Sequence, residues 1–237
     1  MDFKQIFSVR KPIIGMIHLA GNNPTERIQR ALQEISIYEE EGVDGAIFED
    51  YAREATPKHV YEALQESKKL QSRIARGVNL LRTPYYAFQY ALDAGASFVQ
   101  FDSVQTPDLK IAEYESARKA HRNIAVLGGI GFKYTKPTGN PLEQDLREGM
   151  SRCEAIVTTG PGTNIETPLR KLRDYREILG QFPLLVGAGV NIENIRSQME
   201  IADGAIIGSY FKTNNDIEEP VDRRKVRDLI SVVRELR

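Results

Sequence analysis

Short apolar runs and amphipathic stretches alternate along this chain almost from end to end, and that alternation restricts its fold more than any other feature. The apolar runs are Ile13–His18, Gly45–Phe48, Ala75–Leu80, Phe98–Phe101, Ala125–Leu127, Ala155–Thr158, Leu184–Val186 and Ala205–Ile207. Helix-like segments fill the gaps: Thr25–Glu40, Pro57–Gln71, Tyr85–Asp93, Asp108–Ala120, Leu142–Ser151, Pro168–Leu179, Ile192–Met199 and Asp222–Leu236. Brief apolar runs bounded by turn residues suit strands buried on both faces of a parallel sheet. Their alternation with helices is the mark of βαβ units. An open doubly wound sheet remains a competitor, but this many units in 237 residues favours closure into a (β/α)8 TIM barrel, an α/β fold. No low-complexity tract or long linker divides the chain, so residues 1–237 read as one domain.

Several boundaries carry their own chemistry. Pro24, Pro57 and Pro84 stand at helix starts, where the missing N–H has no partner to lose. Gly42 and Gly95 suit helix ends. Asn191 is the expected cap of the seventh helix, and Asp222 opens the last one behind Pro220.

Hydrophobic residues make up 41% and charged residues 27%, which fits a globular protein. The formal net charge of -1, with Lys and Arg spread along the chain, gives no basic field for nucleic acid. A single cysteine, Cys153, excludes an internal disulfide and fits a reducing, cytoplasmic setting. The start, Met1-Asp2-Phe3-Lys4-Gln5, does not read as a signal peptide. The longest strongly apolar stretch, near Ile124 to Phe132, is too short and glycine-rich to span a bilayer. Membrane association is therefore expected to be peripheral at most, and a homo-oligomer is left open.

Near the end, Leu184-Leu185-Val186 and Ala205-Ile206-Ile207 each break on glycine. Glycines just past parallel strands let backbone approach a ligand, and free N–H groups there attract an anion. Two such turns side by side form a phosphate cup after strands seven and eight of a barrel. The expected cup residues are Gly187, Gly189, Val190, Gly208 and Ser209, with a small phosphorylated molecule as ligand. The plainer alternative is tight-turn glycines. A dinucleotide fingerprint is the other, but too little chain follows it.

Position at strand ends sorts the remaining candidates, because barrel chemistry gathers there. His18 ends the first strand, whereas His59 lies inside a helix and His121 at a helix end. Glu49 and Asp50 follow the second strand; alternation lets at most one face the lumen, and Glu49 is preferred. Asn79 ends the third strand, with Arg82 in the loop beyond it. Gln100 and Asp102 share one face of the fourth. A carboxylate there can abstract a proton or hold a hydroxyl; the bland reading is an ordinary polar layer or a helix cap. Lys133 follows the fifth strand after Gly128-Gly129-Ile130-Gly131; an amine there can meet a phosphate or form a Schiff base, though surface lysines are commoner. Thr158, Thr159 and Gly160 open the run to Asn164, which fits a hydroxyl-binding loop or a plain turn. Cys153 precedes its strand, on the structural rim. No Walker loop, Ser-His-Asp signature or metal-ligand spacing occurs, so no metal or cofactor is expected.

Lys11-Pro12-Ile13-Ile14-Gly15-Met16-Ile17-His18-Leu19 resembles the opening of the BtpA family. Matching stretches follow in order: Asp44–Asp50, Arg76–Arg82, Ile156–Gly160, Val186–Asn194, and Asp203–Ser209 with Phe211-Lys212 behind it. The resemblance covers nearly the whole chain. It implies a ribulose-phosphate-binding type of barrel and a link to photosystem I accumulation, with peripheral thylakoid association; it implies no settled reaction. The chain departs from the family pattern at Ala20–Pro24, Asp50, Gln100, Asp102, Gly129 and Tyr134, so several polar rim groups are exchanged.

The expected function is therefore phosphate-anchored ligand binding, with His18, Glu49, Asp102 and Lys133 as catalytic candidates for isomerase- or aldolase-type acid/base chemistry. Asn79, Gln100, Thr158, Thr159 and Gly160 would complete the ligand site. The alternative is a non-enzymatic assembly factor that uses the barrel as a scaffold.

Overall fold

A computed structural model of the protein describes residues 1–237. Eight strands close into one barrel in chain order. They are β1 (Ile13–Ile17), β2 (Gly45–Glu49), β3 (Ala75–Asn79), β4 (Phe98–Phe101), β5 (Ala125–Gly129), β6 (Ala155–Thr159), β7 (Leu184–Gly187) and β8 (Gly204–Ile207). Every neighbouring pair is parallel, and the ring shuts where Ile13, Ile14 and Gly15 pair with Ala205, Ile206 and Ile207. The outer helices are α2 (Pro24–Glu41), α3 (Pro57–Ser67), α4 (Ala87–Ala94), α5 (Ile111–Ala120), α6 (Leu142–Arg152), α7 (Leu169–Leu179), α8 (Ile195–Met199) and α9 (Arg223–Arg234). No helix is long and apolar enough to cross a membrane.

Local chemistry sets most of these ends. Asn23 caps α2 by accepting the Glu26 N–H at 3.0 Å, and Pro24 occupies its first position. Gly42 and Gly95 end α2 and α4 in left-handed backbone. Asp222 caps α9 from outside. One expectation fails: Asn191 does not begin the helix after β7. Its Oδ1 accepts the N–H groups of Glu193 and Asn194 at 2.8 and 3.1 Å, which closes a side-chain turn ahead of Ile195. The helix is one turn shorter for it.

Burial falls into two layers. The larger joins the outward faces of the strands to the helices. A smaller cluster of 12 residues, including Ile14, Met16, Ile47, Phe98, Leu127 and Val157, fills the lumen, so the barrel is solid below its mouth. A short N-terminal helix, α1 (Phe3–Ile6), adds Phe3 and Phe7 to that cluster and plugs the lower rim. The Phe7 ring lies 5.2 Å from Phe3 and meets Phe98 edge-on at 5.6 Å. Four helical residues carry too little periodicity to be seen in sequence.

Phe7 is 4% exposed and does not line the mouth cavity. Phe7→Ala should therefore cost about 3 kcal/mol of unfolding free energy by removing a buried ring. Urea denaturation measures it, and a loss below about 1 kcal/mol would show that the plug is not part of the core.

Candidate functional site

Strand alternation assembles one polar layer above the apolar lumen. The inward positions of β1, running Ile14 and Met16, continue to His18. Those of β2, β3 and β4 end in Glu49, Asn79, Gln100 and, one step beyond, Asp102. Asn79 Nδ2 donates to Glu49 Oε1 at 2.7 Å and to Asp102 Oδ1 at 3.0 Å. Gln100 Nε2 donates to the same Asp102 oxygen at 3.0 Å. His18 Nε2 stands 3.8 Å from Glu49 Oε2, and its buried Nδ1 has no partner. A single amide thus tethers two buried carboxyls.

Burial in this setting changes how the groups hold protons. Burial raises the Glu49 carboxyl to about 8; the Asp102 charge adds to the rise, and Lys133 and the Asn79 bond oppose it. Burial also raises Asp102, against the Gln100 and Asn79 hydrogen bonds. Both carboxyls therefore hold a proton more tightly than free ones, and Glu49, at about 8, keeps its proton near neutrality. Burial, followed by the charges of Lys212, Lys133 and Arg30, pushes His18 well below 6.5, so its ring is neutral.

The opposite wall is backbone. Residues 187–190 after β7 and 207–209 after β8 line the same cavity as His18, Glu49 and Asp102. The N–H groups of Ala188, Gly189, Val190 and Gly208 make no hydrogen bond within the chain. Gly189 has φ 63°, and a β-carbon there would come within 2.4 Å of the Ile165–Glu166 backbone. At Gly208 a β-carbon would sit 3.1 Å from the His18 ring, so this glycine lets the imidazole lie across the seam. Ser209 Oγ is already hydrogen-bonded to Asn164 Oδ1.

Lys133 closes the third side. Its N–H donates to Thr159 Oγ1 at 2.7 Å, which fixes the loop to β6. Its ammonium lies 5.5 to 5.8 Å from the ring centres of Tyr51, Phe132 and Tyr134. Its one polar contact within the chain is Thr163 Oγ1 at 3.5 Å.

The sequence-based candidates divide accordingly. His18, Glu49, Gln100, Asp102, Lys133, Thr159, Gly187, Gly189, Val190, Gly208 and Ser209 line the one cavity. Asn79, 2% exposed, lies beneath it and holds the carboxyls. Thr158 must be corrected: it has the opposite parity to Thr159 and is fully buried behind β6 toward Tyr175. Gly160 is also displaced, because it tucks against the carbonyls of Ile165 and Glu166. Asp50 points away from the lumen and accepts the Leu81 N–H at 2.7 Å. Buried Cys153 stands apart, its thiol pushed up to about 12 by burial.

Sequence reasoning missed Tyr51 as a wall group, whereas Thr163, within the run expected to bind hydroxyls, does line the cavity. It also missed a buried ion pair behind the β1–β8 seam, Lys212 Nζ to Glu34 Oε2 at 2.7 Å. The Lys212 charge contributes to keeping His18 unprotonated. No motif joins residues 178 positions apart, and only the apolar setting of Lys212 in Phe211-Lys212 hinted at burial.

Residues 9–235 match the profile described as the BtpA family. The Photosystem I biogenesis protein BtpA of Synechocystis is 26% identical over 99% of this chain and 92% of its own length. A putative sgc region protein of Escherichia coli is 23% identical, with 99% and 98% covered. Among solved structures, phosphoribosyl anthranilate isomerase of Thermus thermophilus superposes with a TM-score of 0.66 at 13% identity, covering 95% of this chain and all of that one. A mutant tryptophan synthase alpha-subunit of Pyrococcus furiosus gives 0.68 at 15%, covering 94% of this chain and all of that one. These superpositions establish the barrel fold.

The raised carboxyl makes stability depend on pH. Folded Glu49 binds its proton more tightly than the unfolded group at 4.5. Its contribution is full below that value and is lost as pH rises toward about 8. Denaturation of Glu49→Gln alongside the wild type should show that downward slope in the wild type alone. Parallel curves across the window would place the proton elsewhere.

Proposed function

This chain belongs to the BtpA family, and from that premise and the geometry of its mouth we propose that it is an acid/base enzyme acting on a small phosphorylated sugar. The observation that carries this reading is the pair of carboxyls on one amide, Glu49 and Asp102 on Asn79, facing unpaired backbone N–H groups across one cavity. Two carboxyls whose surroundings separate their proton affinities divide the roles of acid and base. The phosphate rests on the N–H groups of Gly189, Val190 and Gly208, which holds the carbonyl end against the carboxyls.

Proton bookkeeping gives an isomerase-type step. The Asp102 carboxylate takes the proton from the carbon beside the carbonyl. Protonated Glu49 donates to the carbonyl oxygen, leaving an enediol. In return, Asp102 delivers its proton to the neighbouring carbon, and Glu49 recovers one from the other hydroxyl. The Lys133 ammonium steadies charge that develops on the oxygens. Neutral His18 offers a hydrogen bond without adding charge.

A non-enzymatic assembly role is the competing reading. Its support is the name of the Synechocystis relative, a photosystem I biogenesis protein. A scaffold has no use for a buried carboxyl pair at the base of a cavity, which favours the enzyme.

Hydrogen exchange decides between them. In D2O, with a panel of aldose and ketose phosphates, the wild type should place deuterium on the carbon beside the carbonyl of its ligand. Glu49→Gln and Asp102→Asn should each slow that exchange about a hundred-fold or more while retaining binding by calorimetry. Binding without exchange would contradict the catalytic reading, and absence of binding would remove the phosphate site.

A further inference from the structure

Aromatic rings border the mouth beside Lys133 and after β8, and nothing in an acid/base step on a bare sugar phosphate requires that. Tyr134 is 73% exposed, more than any other large apolar side chain. Its position is nevertheless fixed. Its hydroxyl accepts the Thr163 N–H at 3.0 Å and donates to Thr163 Oγ1 at 3.3 Å, which joins the loop after β5 to the loop after β6. Its backbone is left-handed, φ 64°, a conformation that bulky residues seldom adopt. Tyr51 comes to the same Thr163 Oγ1 from the loop after β2, at 3.5 Å. Tyr210 and Ile217, from the segment after β8, face the same cavity.

A ring that is held by its hydroxyl and left open over its surface is pre-organised, because little side-chain entropy remains to be lost on stacking. A saturated sugar phosphate offers only a small C–H face to such rings. A planar unsaturated group would cover them.

Resting on the sugar-phosphate reading above, we propose that the ligand is a phosphorylated sugar carrying a planar aromatic or heteroaromatic ring, and that Tyr134 is the platform on which this ring stacks. The phosphate lies on the backbone wall, the sugar over Glu49 and Asp102, and the ring between the loops after β5 and β8. Stacking of a base on an aromatic side chain is worth roughly 1–3 kcal/mol, about five-fold to 150-fold in affinity.

Calorimetric titration with ribose phosphate and with the corresponding nucleoside monophosphates tests this. The wild type should bind at least one nucleoside monophosphate about ten-fold or more tighter than ribose phosphate. Tyr134→Phe should keep most of that ratio, losing only what the hydroxyl's hold on the ring contributes, and Tyr134→Ala should bring it close to one. Equal affinity for both ligands in the wild type would overturn the platform, and that result does not depend on any variant folding. A Tyr134→Ala protein that weakens both ligands equally would also overturn it, since the ring would then be serving the sugar. If ribose phosphate binds while the bases add nothing, the platform alone is lost; if neither ligand binds, the phosphate site falls with it.

Discussion

Closure of the sheet is the constraint on which everything else depends. The pairing of Ile13, Ile14 and Gly15 with Ala205, Ile206 and Ile207 joins the first strand to the last. Without it, the ends of β1 and β8 would be the two edges of an open sheet, as far apart as the fold allows. With it, His18 lies across Gly208, and the backbone turn after β8 shares a cavity with the polar ends of β2 and β4. Closure also assigns every strand residue to one of two environments. Inward positions below the mouth must be apolar to fill the lumen, and the last inward position of each strand is free to carry chemistry.

A second consequence concerns water. The lumen beneath the polar layer is packed with Met16, Ile47, Phe98, Leu127 and other apolar residues, so Glu49 and Asp102 rest on a dry floor. Their shared donor, Asn79, satisfies one oxygen of each but cannot neutralise two charges. The proton retained on Glu49 follows first from burial and then from the neighbouring Asp102 charge. On His18, burial and then the charge of buried Lys212 behind the seam keep the ring neutral beside a carboxyl that would otherwise draw a proton to it. The mouth therefore brings together a protonated Glu49, a second buried carboxyl on Asp102, a neutral His18 ring and the Lys133 side chain.

The strands and their order were legible because buried parallel strands are short apolar runs between glycine and proline signals. Strand parity was legible too where it was applied. It correctly separates Glu49 from Asp50, and it puts Gln100 and Asp102 on one side. The same rule separates Thr159 from Thr158, and grouping both threonines with the site overlooked it. The loops were not legible. Tyr51, Tyr134 and Thr163 come from three different loops and meet at one hydroxyl, and no spacing encodes such a meeting. Asn191 reads as a helix cap and instead closes a turn, since the same short amide side chain serves both purposes. The four-residue plug α1 fell below the length at which periodicity is visible.

The central claim is that backbone amides after β7 and β8 hold a phosphate and so place a sugar over Glu49 and Asp102. Crystals of the protein soaked with ribose phosphate test it directly. The account predicts phosphate density within hydrogen-bonding distance of the Val190 and Gly208 amides, with the sugar carbonyl carbon beside the two carboxyls. Phosphate density on Lys133 alone, with the Gly189–Val190 turn untouched, would contradict it.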